Sequence, residues 1–171
     1  TGAPFLLLIL FMSFMFSVSH SAHAGTIHNF SDTLTNSAPN QESNHTVQFK
    51  TTTAIPPGGY IRFIPADAQF EVPSVDFDAD NVEIFVATTS GYVLRNSSSS
   101  VDTDVDGVTI ISGTSGFIEV TLNPTTGIPA GAFVRLKIGN HTQNGTTNDA
   151  RIKNPSSIGT YEYFIETGGT T

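Results

Sequence analysis

The chain contains no cysteine and no tryptophan, and Lys and Arg number only 7 against 15 Asp and Glu. Without cysteine there can be no disulfide framework, no thiolate zinc site and no haem attached through a CxxCH motif. Stability must come from packing and backbone hydrogen bonds. The formal net charge of −8 argues against nucleic acid or an anionic membrane as partner, since both need clustered cations to displace counterions. The lack of tryptophan removes a favoured platform for sugar rings. Past residue 25 no long apolar run and no stretch of helical periodicity occurs.

What is present starts with an apolar leader. Residues 4 to 24, PFLLLILFMSFMFSVSHSAHA, are uncharged, and they turn polar after Val18 to reach Ala22, His23 and Ala24, a small-x-small cleavage pattern, before Gly25. The expectation is a short hydrophobic helix serving as a signal peptide over 1–24, truncated at its start because the chain opens on Thr1 and its first basic residue is Lys50. A permanent span would need about 20 apolar residues and a basic stop-transfer flank. A pilin-type helix retained in a filament axis would carry a glutamate just inside it. Neither feature is found, so the mature chain is expected to be secreted or at the cell surface, with no membrane span. Residues 25 to 171 have the length of one domain, which is expected to continue beyond Thr171 in the native chain.

The body of the chain alternates apolar and polar residues. In HTVQFKTTT, 45 to 53, Val47 and Phe49 fall on one face and Gln48 and Lys50 on the other, which is the pattern of a half-buried strand. The same reading applies to 60–64, 82–87, 108–111, 117–122, 133–138 and 161–165. Turn residues separate them: Pro56 to Gly59, Asn96 to Ser100, Asn123 and Pro124, Pro129 to Gly131, Asn144 and Gly145, Asn154 and Pro155. Short strands at this spacing predict an all-β, immunoglobulin-like antiparallel β-sandwich. Five Asn-x-Ser/Thr sequons, beginning at Asn29, Asn44, Asn96, Asn140 and Asn144, carry no weight in so Asn- and Thr-rich a chain.

A short internal echo is visible. Ile55-Pro-Pro-Gly-Gly-Tyr-Ile-Arg-Phe63 resembles Ile128-Pro-Ala-Gly-Ala-Phe-Val-Arg-Leu136, each a Pro-Gly turn launching a strand with one arginine among apolar residues. Both arginines are expected to point outward and meet surface carboxylates. The segments SDTLTNSAPNQESNHTVQFKTTTAIPPGGYIRF (31–63), FVRLKIGN (133–140) and IKNPSSIGTYEYFIET (152–167) resemble uncharacterised secreted bacterial surface proteins with immunoglobulin-like β-sandwich domains. That resemblance implies an extracellular location and a sandwich fold, and it implies no activity.

Candidate chemistry is sparse. Asp102-Thr-Asp-Val-Asp-Gly107 matches the first half of a calcium loop, where carboxylates at alternate positions converge on one hard cation, glycine permits a tight turn and the carbonyl of Val108 adds a ligand. The bidentate glutamate of a complete loop is missing, because Gly113 stands there. Asp102, Asp104, Asp106 and Val108 are therefore the candidate calcium ligands, with Asp76, Asp78 and Asp80 a second run. The alternative for the first loop is an exposed hairpin turned at Asp106-Gly107; for the second it is a solvated strand face opposite Phe77 and Ala79. His28, His45 and His141 are isolated, and neither GxSxG nor triad spacing occurs. No catalysis is expected. The favoured function is an extracellular structural or adhesive module of a bacterial surface protein, with other surface proteins or host or cell-surface ligands as partners. The alternatives are a carbohydrate-binding module, for which Phe85, Phe133, Tyr92 and Tyr60 would form the platform, and a filament subunit.

Overall fold

The computed structural model describes residues 26–65 and 69–169, and the leader lies outside them. Among the described residues no helix is long and apolar enough to cross a membrane. Twelve strands run in chain order: β1 (Ile27–Leu34), β2 (Glu42–Ser43), β3 (His45–Thr51), β4 (Tyr60–Pro65), β5 (Val82–Thr88), β6 (Gly91–Leu94), β7 (Ser97–Ser98), β8 (Asp106–Ile111), β9 (Phe117–Thr121), β10 (Phe133–Ile138), β11 (Ile152–Lys153) and β12 (Tyr163–Gly168). One five-stranded sheet has the order β1-β3-β10-β5-β6, the second β12-β4-β9-β8-β7, and β11 with β2 makes a small ribbon. Pairing is antiparallel except for the short parallel contact between β7 and β8. The expectation of an all-β, antiparallel body holds for the described residues.

The two sheets close on each other because their strands alternate. Val47 and Phe49 of β3, Ile84 of β5 and Leu136 of β10 face Ile61 and Phe63 of β4 and Ile118 and Val120 of β9, all at most 1% exposed. They belong to one continuous core. Each such side chain, fully buried, contributes about 1.5–3 kcal/mol. The chain changes sheet between β3 and β4, β4 and β5, β6 and β7, β9 and β10, and β10 and β12. As a result β10 lies in the middle of the first sheet, between β3 and β5.

The two echoed Pro-Gly segments meet in space. Ile55 and Ile128 form an antiparallel bridge with reciprocal N–H···O bonds of 2.8 Å, and both side chains are buried. Gly58 and Gly131, at matching places, hold φ of 71° and 77°, a left-handed conformation that glycine adopts without steric cost. From this shared point one turn feeds β4 into the second sheet and the other feeds β10 into the first. Arg62 and Arg135 therefore stand on different sheets, each at a position between buried neighbours and directed away from the core.

Candidate functional site

The acidic loop folds differently from the hairpin expected of it. Asp102 and Val105 bridge to each other, Asp102 N–H donating to Val105 O at 2.9 Å, so the turn falls at Thr103-Asp104 and not at Asp106-Gly107. Asp102 and Asp104 stay exposed at the tip, whereas Asp106 is already the first residue of β8 and is fully buried. Its carboxylate accepts from Arg95 Nε at 2.6 Å and Nη2 at 2.7 Å, and from Asn123 N at 2.8 Å and Nδ2 at 3.0 Å. Val108 pairs with Val120 inside the sheet. Gly107 is needed for close approach, since a Cβ there would lie 2.9 Å from Val101 N. Calcium on this loop would require Asp106 to exchange a bidentate guanidinium for the metal. Among the described residues no three of His, Asp and Glu are grouped to hold a metal ion.

The second acidic run is a turn and not the strand face expected. Asp78 caps a 3-10 turn, Ala79–Asn81, its side chain accepting from Asp80 N while Asn81 Oδ1 accepts from Asp78 N, both at 2.9 Å. Asn81 in turn donates to Asp149. Hydrogen bonds from Thr146, and then from Asn81, hold the Asp149 carboxyl below the usual carboxylate range.

Of the histidines, His45 gains an acid partner that its sequence surroundings conceal. Its Nδ1 lies 2.7 Å from Asp32 Oδ2 on β1, with both side chains buried. The ring packs against Phe63 at 5.7 Å and Tyr163 at 5.6 Å, and its Nε2 has no hydrogen-bond partner among the described residues. The pair is thus sealed in the core. His141 Nε2 sits 3.1 Å from Thr46 Oγ1. Burial, then Lys137 and His45, lowers its pKa below the ordinary 6.5.

The outer face of the first sheet carries a different grouping. Between the buried Val134, Leu136 and Ile138 of β10, the residues Phe133, Arg135 and Lys137 point to solvent. Register places Lys50, Gln48 and Thr46 of β3 opposite them, and on the other side Phe85 opposite Arg135 and Glu83 opposite Lys137. Three cations each find a ring: Lys50 Nζ lies 5.3 Å from the Phe133 centroid, Lys137 Nζ 5.4 Å from Phe85 and the Arg135 guanidinium 3.9 Å from Tyr92. Such contacts at exposed sites are worth about 0.5–1 kcal/mol each. Ala87 explains the closest of them. It pairs with Tyr92, and its small side chain lets the ring lie across β5 above Arg135, so that the hydroxyl reaches Gln48 Oε1 on β3 at 3.3 Å. Arg135 Nε is left buried with no partner among the described residues.

The second sheet's outer face supplies the contrast. Arg62 sits between the rings of Tyr60 at 5.2 Å and Phe117 at 4.6 Å, yet it also meets Glu119 at 2.6 Å and Glu166 at 3.2 Å. Five of the seven basic residues, Arg62, Arg95, Lys137, Arg151 and Lys153, face a carboxylate at 3.9 Å or less. Lys50 and Arg135 face none among the described residues, and both belong to the first sheet's outer surface. The arginine expectation is met by Arg62 and fails for Arg135, whose neighbours across the ladder are Gln48 and Phe85. Of the four rings named as a sugar platform, Phe85, Phe133 and Tyr92 share this face, while Tyr60 stands on the other sheet. No protein-family model, curated protein or solved structure matches the chain.

Proposed function

We propose that the chain is an extracellular, non-catalytic adhesive module of a bacterial surface protein, an immunoglobulin-like β-sandwich that holds its ligand on the outer face of the first sheet. The observation that carries this reading is the set of ring and cation pairs centred on β10, with Phe133 still 42% exposed. Rings and cations without a carboxylate partner, collected on the outer face of one sheet, suit contact with a partner better than chemistry on a substrate. The apolar leader supports export. Carbohydrate binding is the second reading, favoured by the grouping of Phe85, Tyr92 and Phe133. The test is adhesion under flow of beads coated with the exported chain to bacterial envelopes and extracellular polymers. Phe133→Ala with Lys50→Ala should abolish retention, and Tyr60→Ala on the opposite sheet should leave it intact. Equal retention of both variants would refute the assignment.

A further inference from the structure

We infer that the ligand of this face is an acidic polysaccharide, a chain of sugar rings bearing carboxylates of the uronic acid type. The inference rests on the adhesive reading above and names the chemistry that the face would recognise. Three features of the surface select it together.

Charge is the first. The protein carries a net charge of −8, so an anion is repelled over most of its surface, and Lys50 and Arg135 are the cations left without a carboxylate among the described residues. Lys50 lies opposite Phe133 and Arg135 opposite Gln48 on the neighbouring strand, so the two residues stand diagonally across the ladder with Cα atoms about 7–8 Å apart. A polymer with a carboxylate on each ring can meet both; a single small anion meets one. The second feature is aromatic. Phe133, Phe85 and Tyr92 come from three adjacent strands, each ring is braced by a cation of the same face, and Phe133, 42% exposed, is the ring left open to the C–H face of a sugar.

Topology is the third, and it separates a glycan from an acidic peptide. Extended peptides bind sheets chiefly by adding a strand at an edge, where backbone N–H and C=O groups are unpaired. Phe133, Arg135 and Lys137 lie on β10, whose backbone is paired with β3 on one side and β5 on the other. Recognition there must run through side chains alone. That suits a ligand without a peptide backbone.

The experiment is calorimetric titration of the exported chain with tetragalacturonate, a neutral glucan tetrasaccharide and a hexaglutamate peptide, with urea unfolding to show that each variant is folded. Tetragalacturonate is expected to bind, more weakly as salt rises, with about tenfold loss for each of Phe133→Ala and Lys50→Ala and none for Tyr60→Ala. Binding of the neutral sugar alone, lost in Phe133→Ala, overturns the acidic class and leaves the face in place. Binding of hexaglutamate alone, lost in Lys50→Ala, overturns the glycan and again leaves the face. Tetragalacturonate binding that survives both substitutions overturns the inference and the face together. No binding by any probe overturns the inference, and the adhesion assay then decides the face separately.

Discussion

Replacing Asp106 with alanine tests how the sandwich is fastened along β8. The carboxylate is fully buried, the Arg95 side chain beside it is 13% exposed, and Arg95 also donates to Thr126 O at 2.9 Å, tying the end of β6 to the loop after β9. Removing one partner of a buried pair costs about 3–5 kcal/mol, and the two orphaned Asn123 donors belong to the same loss. With about 4 kcal/mol removed and a urea dependence of about 2 kcal/mol per molar, the unfolding midpoint should fall by about 2 M. A double variant, Arg95→Met with Asp106→Leu, should recover about half of that, because an apolar pair of similar volume leaves no uncompensated charge while the Asn123 donors stay without their acceptor. A midpoint for Asp106→Ala within about 0.3 M of the parent would refute the argument. Calcium examines the same residue from the other side. With Asp106 held by Arg95, millimolar calcium should leave the parent midpoint unchanged. A rise that Asp102→Asn with Asp104→Asn abolishes would place the metal on the loop by mass action, and would mean that Asp106 leaves its arginine.

Three further outcomes are expected. His141 has its folded pKa lowered below 6.5 by burial, Lys137 and His45, so the unfolded chain takes up the proton first. Its contribution is complete above about pH 6.5, declines as the pH falls from there, and levels off below the folded value; thermal midpoints of His141→Gln should show a shallower decline over that window. Gly139 has a φ of 118°, and a Cβ there would clash with Asn44 Oδ1, which accepts from Asn140 N at 2.9 Å. Gly139→Ala should cost about 3 kcal/mol in urea unfolding, from backbone strain and the displaced hydrogen bond together. Phe133→Ala, by contrast, should cost only about 1–2 kcal/mol, from the lost Lys50 contact and the ring's partial burial, which leaves the chain folded, so that any loss of adhesion reflects the surface and not the fold.

Alternation made the long central strands legible. β3, β4, β5, β9 and β10 each place large apolar residues on one face, and period-2 patterning is all that a half-buried strand needs. Elements whose register is set by something other than pattern stayed hidden. β1 slips between His28 and Ser31, where Asn29 takes a φ of 54°, and that irregularity scrambles the alternation a reader would look for. β6 follows a Thr89-Ser90 turn that carries no Asn-Gly or Asp-Gly signal. DxDxDG did not show where the turn falls, for a related reason: the motif describes spacing, while the destination of Asp106 depends on Arg95 and Asn123, which are separate in sequence and meet only when β6, β8 and the loop after β9 are assembled. Phe85, Phe133 and Tyr92 were nameable as rings, but their shared face follows from the strand order β3-β10-β5-β6, which no local pattern contains.

The echoed segments show how one local motif yields two unlike surfaces. Each turn delivers an arginine to the outside of a sheet with an aromatic residue two positions before it, Tyr60 before Arg62 and Phe133 before Arg135. What differs is the ladder on either side. Arg62 is flanked by Glu119 on β9 and Glu166 on β12, and two carboxylates neutralise it in place. Arg135 is flanked by Gln48 and Phe85, neither of which carries charge, so its field is met only by the Tyr92 ring above it. A neutralised arginine serves packing between strands, and its surface stays as acidic as the rest of the molecule. Arg135 and Lys50, neither facing a carboxylate among the described residues, share their face with three rings, and it is this local relief from the net charge on which the proposed anionic ligand depends. The difference lies in cross-strand partners drawn from β3 and β5 on one side and from β9 and β12 on the other.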